Sequence, residues 1–454
     1  MNDKPASLTV NDIIDRRPLS RFQVQTAVLC GIVLVLDGFD AQCIGFLAPP
    51  ISGTLHIPLP AFGGVFAAGL TGLMIGAMAI GPIADRWGRK WTIILSTLAF
   101  ALFSLLTARI ESLDELVALR FLTGLGLGGA MPNAIALTSE YAPKRLQRVL
   151  VSALTAGMPL GAIVASLASR KMIPLWGWPS VFYLGGFLPL AIAALSAVAL
   201  PESIRFLTVR RADSLRIRPI LLRIAPDLAD NAPNLAPAAE SLSSGMPVKE
   251  LFTEGRALGT FLLWIPFFMN LLILYFIVSW LPGLLHETGM PDSAGVMAVF
   301  FFSLGGMLGA LIEGQLMNGL GTSTVLVAEF GVSVALIYGL AYSASSYVLL
   351  MAVTLVLGFT VQGGQAGINA LAADYYPTRM RSTGVGWALG IGRIGSIIGP
   401  ALGGFLLSLQ WTPRQILLAG IVPALITTLA VLLGSRLYAE PASYRGEAEA
   451  GGAL

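Results

Sequence analysis

Long apolar runs separated by short polar breaks dominate the chain. About 20 consecutive apolar residues, folded as a helix, cross the hydrocarbon core of a bilayer. Runs of that order recur near 22–50, 60–84, 91–109, 115–139, 148–170, 179–200, 256–283, 291–315, 323–343, 346–373, 381–408 and 412–436. They are continuous and do not alternate in ~10-residue segments, which points to helices and away from an outer-membrane barrel. One break is much longer than the rest. Residues 201–255 are polar and rich in Pro, Ser, Ala and Arg, the composition of a linker with room for one short amphipathic helix. The pattern predicts an all-α membrane protein of twelve transmembrane helices. Its parts are a tail (1–21), a six-helix bundle (22–200), the linker (201–255), a second six-helix bundle (256–437) and a tail (438–454).

Composition strengthens that picture. Hydrophobic residues make up 55% of the 454 positions and charged ones 12%, against about 25% charged in a soluble domain. Mean hydropathy is +0.78. The opening stretch "MNDKPASLTVNDIIDRRPLSRFQ" has no apolar run directly behind its basic residues and no small-residue cleavage site. It reads as a retained cytosolic tail, not a signal peptide. Cys30 and Cys43 both fall in the first span, without metal-ligand spacing or a disulfide framework, and are expected to be small core residues. No cofactor or metal site is expected.

Charge sets the orientation. With the N-terminus inside, 22 of the 28 Lys and Arg residues fall on the cytosolic side and four (Arg109, Arg170, Lys171, Arg414) on the outside. Arg120 and Arg393 lie within spans. By the positive-inside rule both termini are cytosolic. The net charge of +3 is this inner-face bias and gives no reason to expect a nucleic-acid partner.

The two halves repeat one another. "GPIADRWGRK" (81–90) aligns with "GQLMNGLGTS" (314–323), so that Gly81, Asp85 and Gly88 match Gly314, Asn318 and Gly321, each 233 residues on. Pro49 and Pro282 share that spacing. "SEYAPKRL" (139–146) aligns with "ADYYPTRM" (373–380), matching Glu140, Pro143 and Arg145 to Asp374, Pro377 and Arg379 at 234 residues. An offset held across four helices indicates two pseudo-symmetric bundles in parallel repeat.

These motifs resemble the major facilitator superfamily. "GPIADRWGRK" fits its loop signature G-x-x-x-D-R-x-G-R-K, and "RFLTGLGLGGAMPN" (120–133) fits its fourth-helix Arg and glycine pattern. "DGFD" (37–40), "PLSRFQ" (18–23), "LTSEYAPKRLQR" (137–148) and "LGIGRIGSIIGP" (389–400) together are similar to the aromatic acid:proton symporter family, which imports hydroxybenzoates and related acids in bacteria. The resemblance implies a substrate site at the midplane between the halves, a fourth-helix Arg120 that partners the first-helix acids, and a charge network of Asp85, Arg89 and Glu140 holding the inner gate. Arg120 is open to a plain structural pairing as well. The second loop motif departs from the pattern, with Asn318 in place of Asp and Gly319 where an Arg often follows.

Several polar residues stand out inside apolar spans. Asp37 and Asp40, at i and i+3, face one side of the first helix. Two buried carboxylates that close resist being charged together, which suits a proton carrier; the alternative is that one of them merely pairs with an Arg and locks helices. The sequence does not separate their roles. Arg393 lies mid-span, about 18 Å in from the cytosolic end at 1.5 Å per residue. Its flat guanidinium matches a carboxylate, either that of a substrate or that of Asp37 or Asp40. Gln362, Gln365 and Asn369 form a polar stripe at i, i+3 and i+7, fit to bind ring hydroxyls or to bond between helices. Asn133, Asn270 and Tyr275 are further polar candidates. Phe39, Trp264, Tyr275, Trp280 and Trp387 could wall a flat ring or serve as core and lipid-facing aromatics. Glu313 and Glu329 lie near the short uncharged loop 316–322 and are expected to reach cytosolic water, with a coupling role as the lesser alternative. His56 and His286 fall in outer loops.

The expected function is a secondary active importer of an aromatic carboxylate by proton symport, in a bacterial inner membrane, with partners limited to the small acid, protons and lipid. Against the membrane potential an anion costs ~2.3 kcal/mol per charge per 100 mV. One proton cancels that charge, and a second would add the potential as a driving force. Two rivals share the fold: an importer of a non-aromatic acid such as muconate, and a drug/proton antiporter, which would more naturally bind cations and leaves Arg393 unexplained. A sensory role can share a transport site. An enzyme is not expected, since no nucleophile triad, metal cluster or phosphate loop is present.

Overall fold

The computed structural model describes residues 10–15, 17–209, 214–225, 248–343, 346–377 and 380–439. Expectations about the outer tails, linker residues 226–247 and Arg379 lie outside the described residues. Among those described, the regular structure is helical. Twelve helices are long and apolar enough to cross a membrane. In the N-terminal half they are α1 (Arg21–Leu55), α2 (Leu59–Trp87), α3 (Arg89–Thr107), α4 (Leu113–Tyr141), α5 (Lys144–Trp176) and α6 (Pro179–Ala199). In the C-terminal half they are α7 (Ala257–Glu287), α8 (Asp292–Leu320), α9 (Thr322–Tyr342), α10 (Tyr347–Tyr375), α11 (Arg381–Ser408) and α12 (Pro413–Tyr438). Each expected span is one of these helices.

Local chemistry explains where the helices stop. Gly88 closes α2 with φ +98°, its N–H donating to the Ala84 carbonyl at 2.9 Å. Gly321 closes α8 in the same way, with φ +85° and a 2.9 Å bond to the Met317 carbonyl. Side chains with a Cβ rarely adopt that backbone, so the repeat read from the sequence is a repeat of turn geometry too. α8 continues to Leu320, beyond the apolar run, because nothing in "EGQLMNGL" breaks a helix before Gly321. Ser112 caps α4 by accepting the Glu115 N–H at 3.3 Å, and Thr412 and Gln415 form a capping box at α12. The N-terminal tail is tied down as well. Asp15 accepts the Lys144 N–H at 2.8 Å, placing a carboxylate at the N-terminus of α5.

The start of the linker holds more structure than its composition suggests. Helices Ile204–Val209 and Ser214–Ile224 pack Leu207 and Leu221 against Ile13 of the tail helix Val10–Asp15. A one-helix expectation undercounts because each helix is too short to show an apolar period of its own.

The chain divides into two compact units that do not coincide with the two sequence halves. The first comprises residues 1–41, 71–161 and 175–242, and its core includes Leu34, Ile93, Ala130, Leu137 and Tyr141. The second comprises 42–70, 162–174 and 243–454. Within it residues 42–55 of α1 and 59–70 of α2 pack on C-terminal helices. A Cβ on Gly45 would meet the Val278 carbonyl at 2.6 Å, and one on Gly63 would meet the Gly404 Cα at 3.0 Å. The Phe66 and Trp280 rings meet edge-on with centroids 5.2 Å apart, while the Trp280 indole donates to the Pro400 carbonyl at 2.8 Å. Small residues let the backbones approach this closely, as in other membrane interfaces.

Large apolar side chains cover the outward faces, among them Met78, Val198, Val348 and Leu433. Exposed Trp87 and Trp176 lie at helix ends, the level at which indole rings favour the membrane–water boundary. The chain is a multi-pass membrane protein.

Candidate functional site

In the first unit Arg120 meets one of the two acids of α1. Asp37 and Asp40 are each 1% exposed and Arg120 is 4% exposed. The Arg120 Nη1 donates to Asp40 Oδ2 at 3.1 Å, and its Nη2 donates to the Thr107 and Thr123 hydroxyls, each at 3.1 Å. The guanidinium also lies over the Phe182 ring, 5.0 Å from its centroid. Four helices therefore hold one cation: α1 through Asp40, α3 through Thr107, α4 through Thr123 and α6 through Phe182. The structure assigns the Arg120 pairing to Asp40, which spacing alone left open. Phe39 packs on α6, where a Cβ on Gly185 would lie 3.2 Å from its ring. It is buried between helices, next in sequence to Gly38 and Asp40.

In the second unit Arg393 is half-buried on α11, with Nη1 at 3.5 Å from the Tyr275 hydroxyl, the outer limit of a hydrogen bond. Among the described residues it has no ion pair. Nearby amides form a chain. Asn270 Nδ2 donates to Gln365 Oε1 at 3.0 Å and to the Val361 carbonyl at 3.1 Å, and Gln365 Nε2 donates to Asn369 Oδ1 at 3.3 Å. The Val361 carbonyl is free for this because residues Phe359–Gly363 form a π-helical turn within α10, which leaves carbonyls without their usual partners.

That turn also divides the stripe expected on α10. Gln365 and Asn369 join Asn270, whereas Gln362 leans on α8, where a Cβ at Gly306 would collide with its amide. Trp387 is 46% exposed and stacks on Trp264 with centroids 6.4 Å apart and planes 17° apart.

A third group gathers where α2 gives way to α3 and at the C-terminal ends of α4 and α6. Arg89 pairs with Asp85 at 3.0 Å and donates to Asn133 Oδ1 at 2.9 Å. Asn133 in turn donates to the Gly129 carbonyl at 2.7 Å. The structure thus places Asn133 with the loop charges and not with the amides of α10. Glu140 accepts a bond from the Ser203 hydroxyl. Glu202 is the residue that sequence reasoning missed. Its carboxylate accepts the Lys90 N–H at 3.0 Å and the Ser203 N–H at 2.8 Å, and its carbonyl accepts the Tyr141 hydroxyl at 2.6 Å. It neutralises the N-terminus of α3 and ties it to the chain leaving α6. The available signal was the acid–hydroxyl pair "PES" directly behind the sixth span, masked by assigning it to a linker.

Gly88 has no Cβ for the Glu202 carboxylate to meet. Gly88→Ala is expected to cost about 1–3 kcal/mol through backbone strain, plus displacement of Glu202. A lowered thermal midpoint in detergent checks this, and an unchanged midpoint would contradict it.

Comparison with known proteins follows the same lines. Residues 30–341 and 314–453 match the Major Facilitator Superfamily profile. The chain is 39% identical to the 4-hydroxybenzoate transporter PcaK of Pseudomonas aeruginosa over 94% of its own length and 95% of that protein's. It is 37% identical to the gallate transporter of Pseudomonas putida, covering 96% and 98% of the two chains. In fold it is similar to a bacterial homologue of the human lysosomal transporter Spinster, with a TM-score of 0.71 at 16% identity and coverage of 93% and 98%. The crystallised D-xylose–proton symporter gives a TM-score of 0.71 at 14% identity, covering 90% and 97%. The twelve helices, the paired loop glycines and these relatives lead to one assignment: the chain belongs to the major facilitator superfamily, within the family that includes the 4-hydroxybenzoate and gallate transporters.

Proposed function

We propose that this chain imports an aromatic carboxylate of the hydroxybenzoate kind into a bacterial cytoplasm by proton symport. The observation that carries the reading is Arg393, a half-buried guanidinium within a membrane helix without an ion pair among the described residues. A permanently charged fork in that setting is costly unless an anion completes it. The relatives named for 4-hydroxybenzoate, gallate, benzoate and 3-(3-hydroxyphenyl)propionate share one chemistry, an aromatic ring with a carboxylate. Arg393 takes the carboxylate, Tyr275 steers it, and the Asn270–Gln365–Asn369 amides offer donors and acceptors for ring hydroxyls.

The proton side of the reading rests on Asp40. Protonating it removes the charge that holds Arg120, so α1 and α4 are joined differently in the loaded and empty states. Asp85, Arg89, Asn133 and Glu140 serve the inner gate. The Lys and Arg asymmetry supports cytosolic termini, and a bacterial inner membrane is the setting that goes with proton-driven import.

Proteoliposomes with an inward proton gradient are expected to concentrate labelled 4-hydroxybenzoate, with gallate and benzoate competing. Accumulation of muconate without competition by aromatic acids would favour the non-aromatic rival. Proton-driven efflux of an organic cation would favour the antiporter.

A further inference from the structure

α8 and α9 carry two acids that the site above does not use. Glu313 is 1% exposed and Glu329 is 7% exposed, and among the described residues neither carboxylate has a side-chain hydrogen-bond partner, Glu313 lying against the Gly367 backbone. Neither reaches cytosolic water. α8 runs seven residues beyond Glu313 before Gly321 stops it.

Both acids lie against bare backbone of α10. A Cβ on Gly364 would be 3.3 Å from Glu329 Oε2, and a Cβ on Gly367 would collide with the Glu313 carboxylate. Gly364 and Gly367 are at i and i+3 of one helix, so they share a face and bring the two carboxylates to the same strip. The same two glycines also face Met317, Leu326 and Phe330, and the Ser333–Thr360 hydroxyl pair lies one turn on from Glu329. Among the described residues no Lys, Arg or His pairs with either acid, and the charged group acting on Glu313 is Glu329.

The pseudo-symmetric bundle shows that the fold does not need acids here. The positions 233 residues earlier are Ile80 and Ser96, whose side chains both close on Gly129 of α4. An apolar group and a hydroxyl fill that space in the first half, and two carboxyls occupy it in the second. Two acids side by side in a low-dielectric interior, without a cation, cannot both stay charged at tolerable cost. Three or more metal-ligating side chains do not gather there among the described residues.

We propose that Glu313 and Glu329 form a second proton-binding site, which carries one proton per transport cycle in addition to the proton coupled at Asp40. α10 connects it to the substrate, because that helix presents Gly364 and Gly367 to the acids and Gln365 and Asn369 to the amide cluster. The inference rests on the symport reading, and its consequence is electrical. One proton with a monoanion is electroneutral, whereas two protons move one net positive charge inward.

The test uses the full-length protein in two measurements. In proteoliposomes without a pH gradient, an inside-negative potential of 100 mV is expected to drive roughly fifty-fold accumulation of 4-hydroxybenzoate by wild type. Glu313→Gln is expected to abolish that response, and to cut accumulation under a one-unit pH gradient from about a hundredfold to about tenfold, since each proton contributes one factor of ten per unit. Wild type that responds to the pH gradient and not to the potential would overturn the inference, as would a Glu313→Gln protein that keeps the response. Failure of wild type to accumulate the acid under either gradient would instead remove the symport reading. Infrared difference spectra of the purified protein decide proton binding independently of transport. A protonated-carboxyl stretch in addition to that of Asp40 is expected in wild type and lost in Glu313→Gln. Glu329→Gln is the second variant should the first fail to fold, and spectra identical to wild type in the variant measured would overturn the site.

Discussion

Arg393→Ala is expected to raise the apparent KM for a substrate acid at least roughly tenfold, with Arg393→Lys intermediate. The lost interaction is a charge-assisted contact of about 1.5–3 kcal/mol, and 1.4 kcal/mol is a factor of ten. Lysine keeps the charge and loses the planar fork, so the difference between the two variants measures how much of the binding is bidentate. Comparing a substrate acid with its uncharged amide in detergent separates this from a folding defect. Wild type should prefer the acid and Arg393→Ala should not. Equal preference in both proteins would remove Arg393 from the site and leave the Asn270–Gln365–Asn369 amides as its next candidate.

Asp40→Asn is expected to remove the proton coupled at Asp40, cutting accumulation under a one-unit pH gradient about tenfold, while exchange of labelled for unlabelled acid survives. Neutralising one partner of a buried pair strands the other, at a cost of about 3–5 kcal/mol. The single variant should therefore also melt earlier. The double change Asp40→Asn with Arg120→Gln removes the stranded charge. Recovery of thermal stability without recovery of accumulation would separate Asp40's coupling role from its structural one. Accumulation restored by the double variant would show that the pair is a clasp and that protons are carried elsewhere. Asp37→Asn is the companion experiment, since Asp37 shares the same buried helix face.

The membrane architecture was legible in the sequence because its cause is one-dimensional. A run of apolar residues must be satisfied helically in a bilayer whatever surrounds it, so twelve runs became twelve helices. Gly88 and Gly321 were legible for a related reason, as their backbone conformation is a local property. Partnerships were less so. Asp37 and Asp40 share a helix face, and only packing shows that Arg120, 80 residues away in the chain, bonds to Asp40. The depth of Glu313 was misjudged because the polar stretch after it looks like a loop, although it contains no helix stop before Gly321. Gln362 left the expected stripe because a spacing of 3.6 residues per turn was assumed along all of α10. Glu202 was overlooked because acids behind a membrane span usually carry no structural information.

The π turn at Phe359–Gly363 makes α10 sensitive to residue count. An α-helix advances about 100° per residue, and the turn accommodates one residue that a regular helix would not. Everything from Gly364 to Tyr375 is therefore aimed by the length of the segment before it. Losing a single position from 359–363 would let the helix regularise. Gln365, Asn369 and the two glycines beside the buried acids would then keep their faces, whereas losing a position from the regular segment Tyr347–Gly358 would swing them together by roughly a quarter of a revolution. Along this helix composition has latitude, but arithmetic does not.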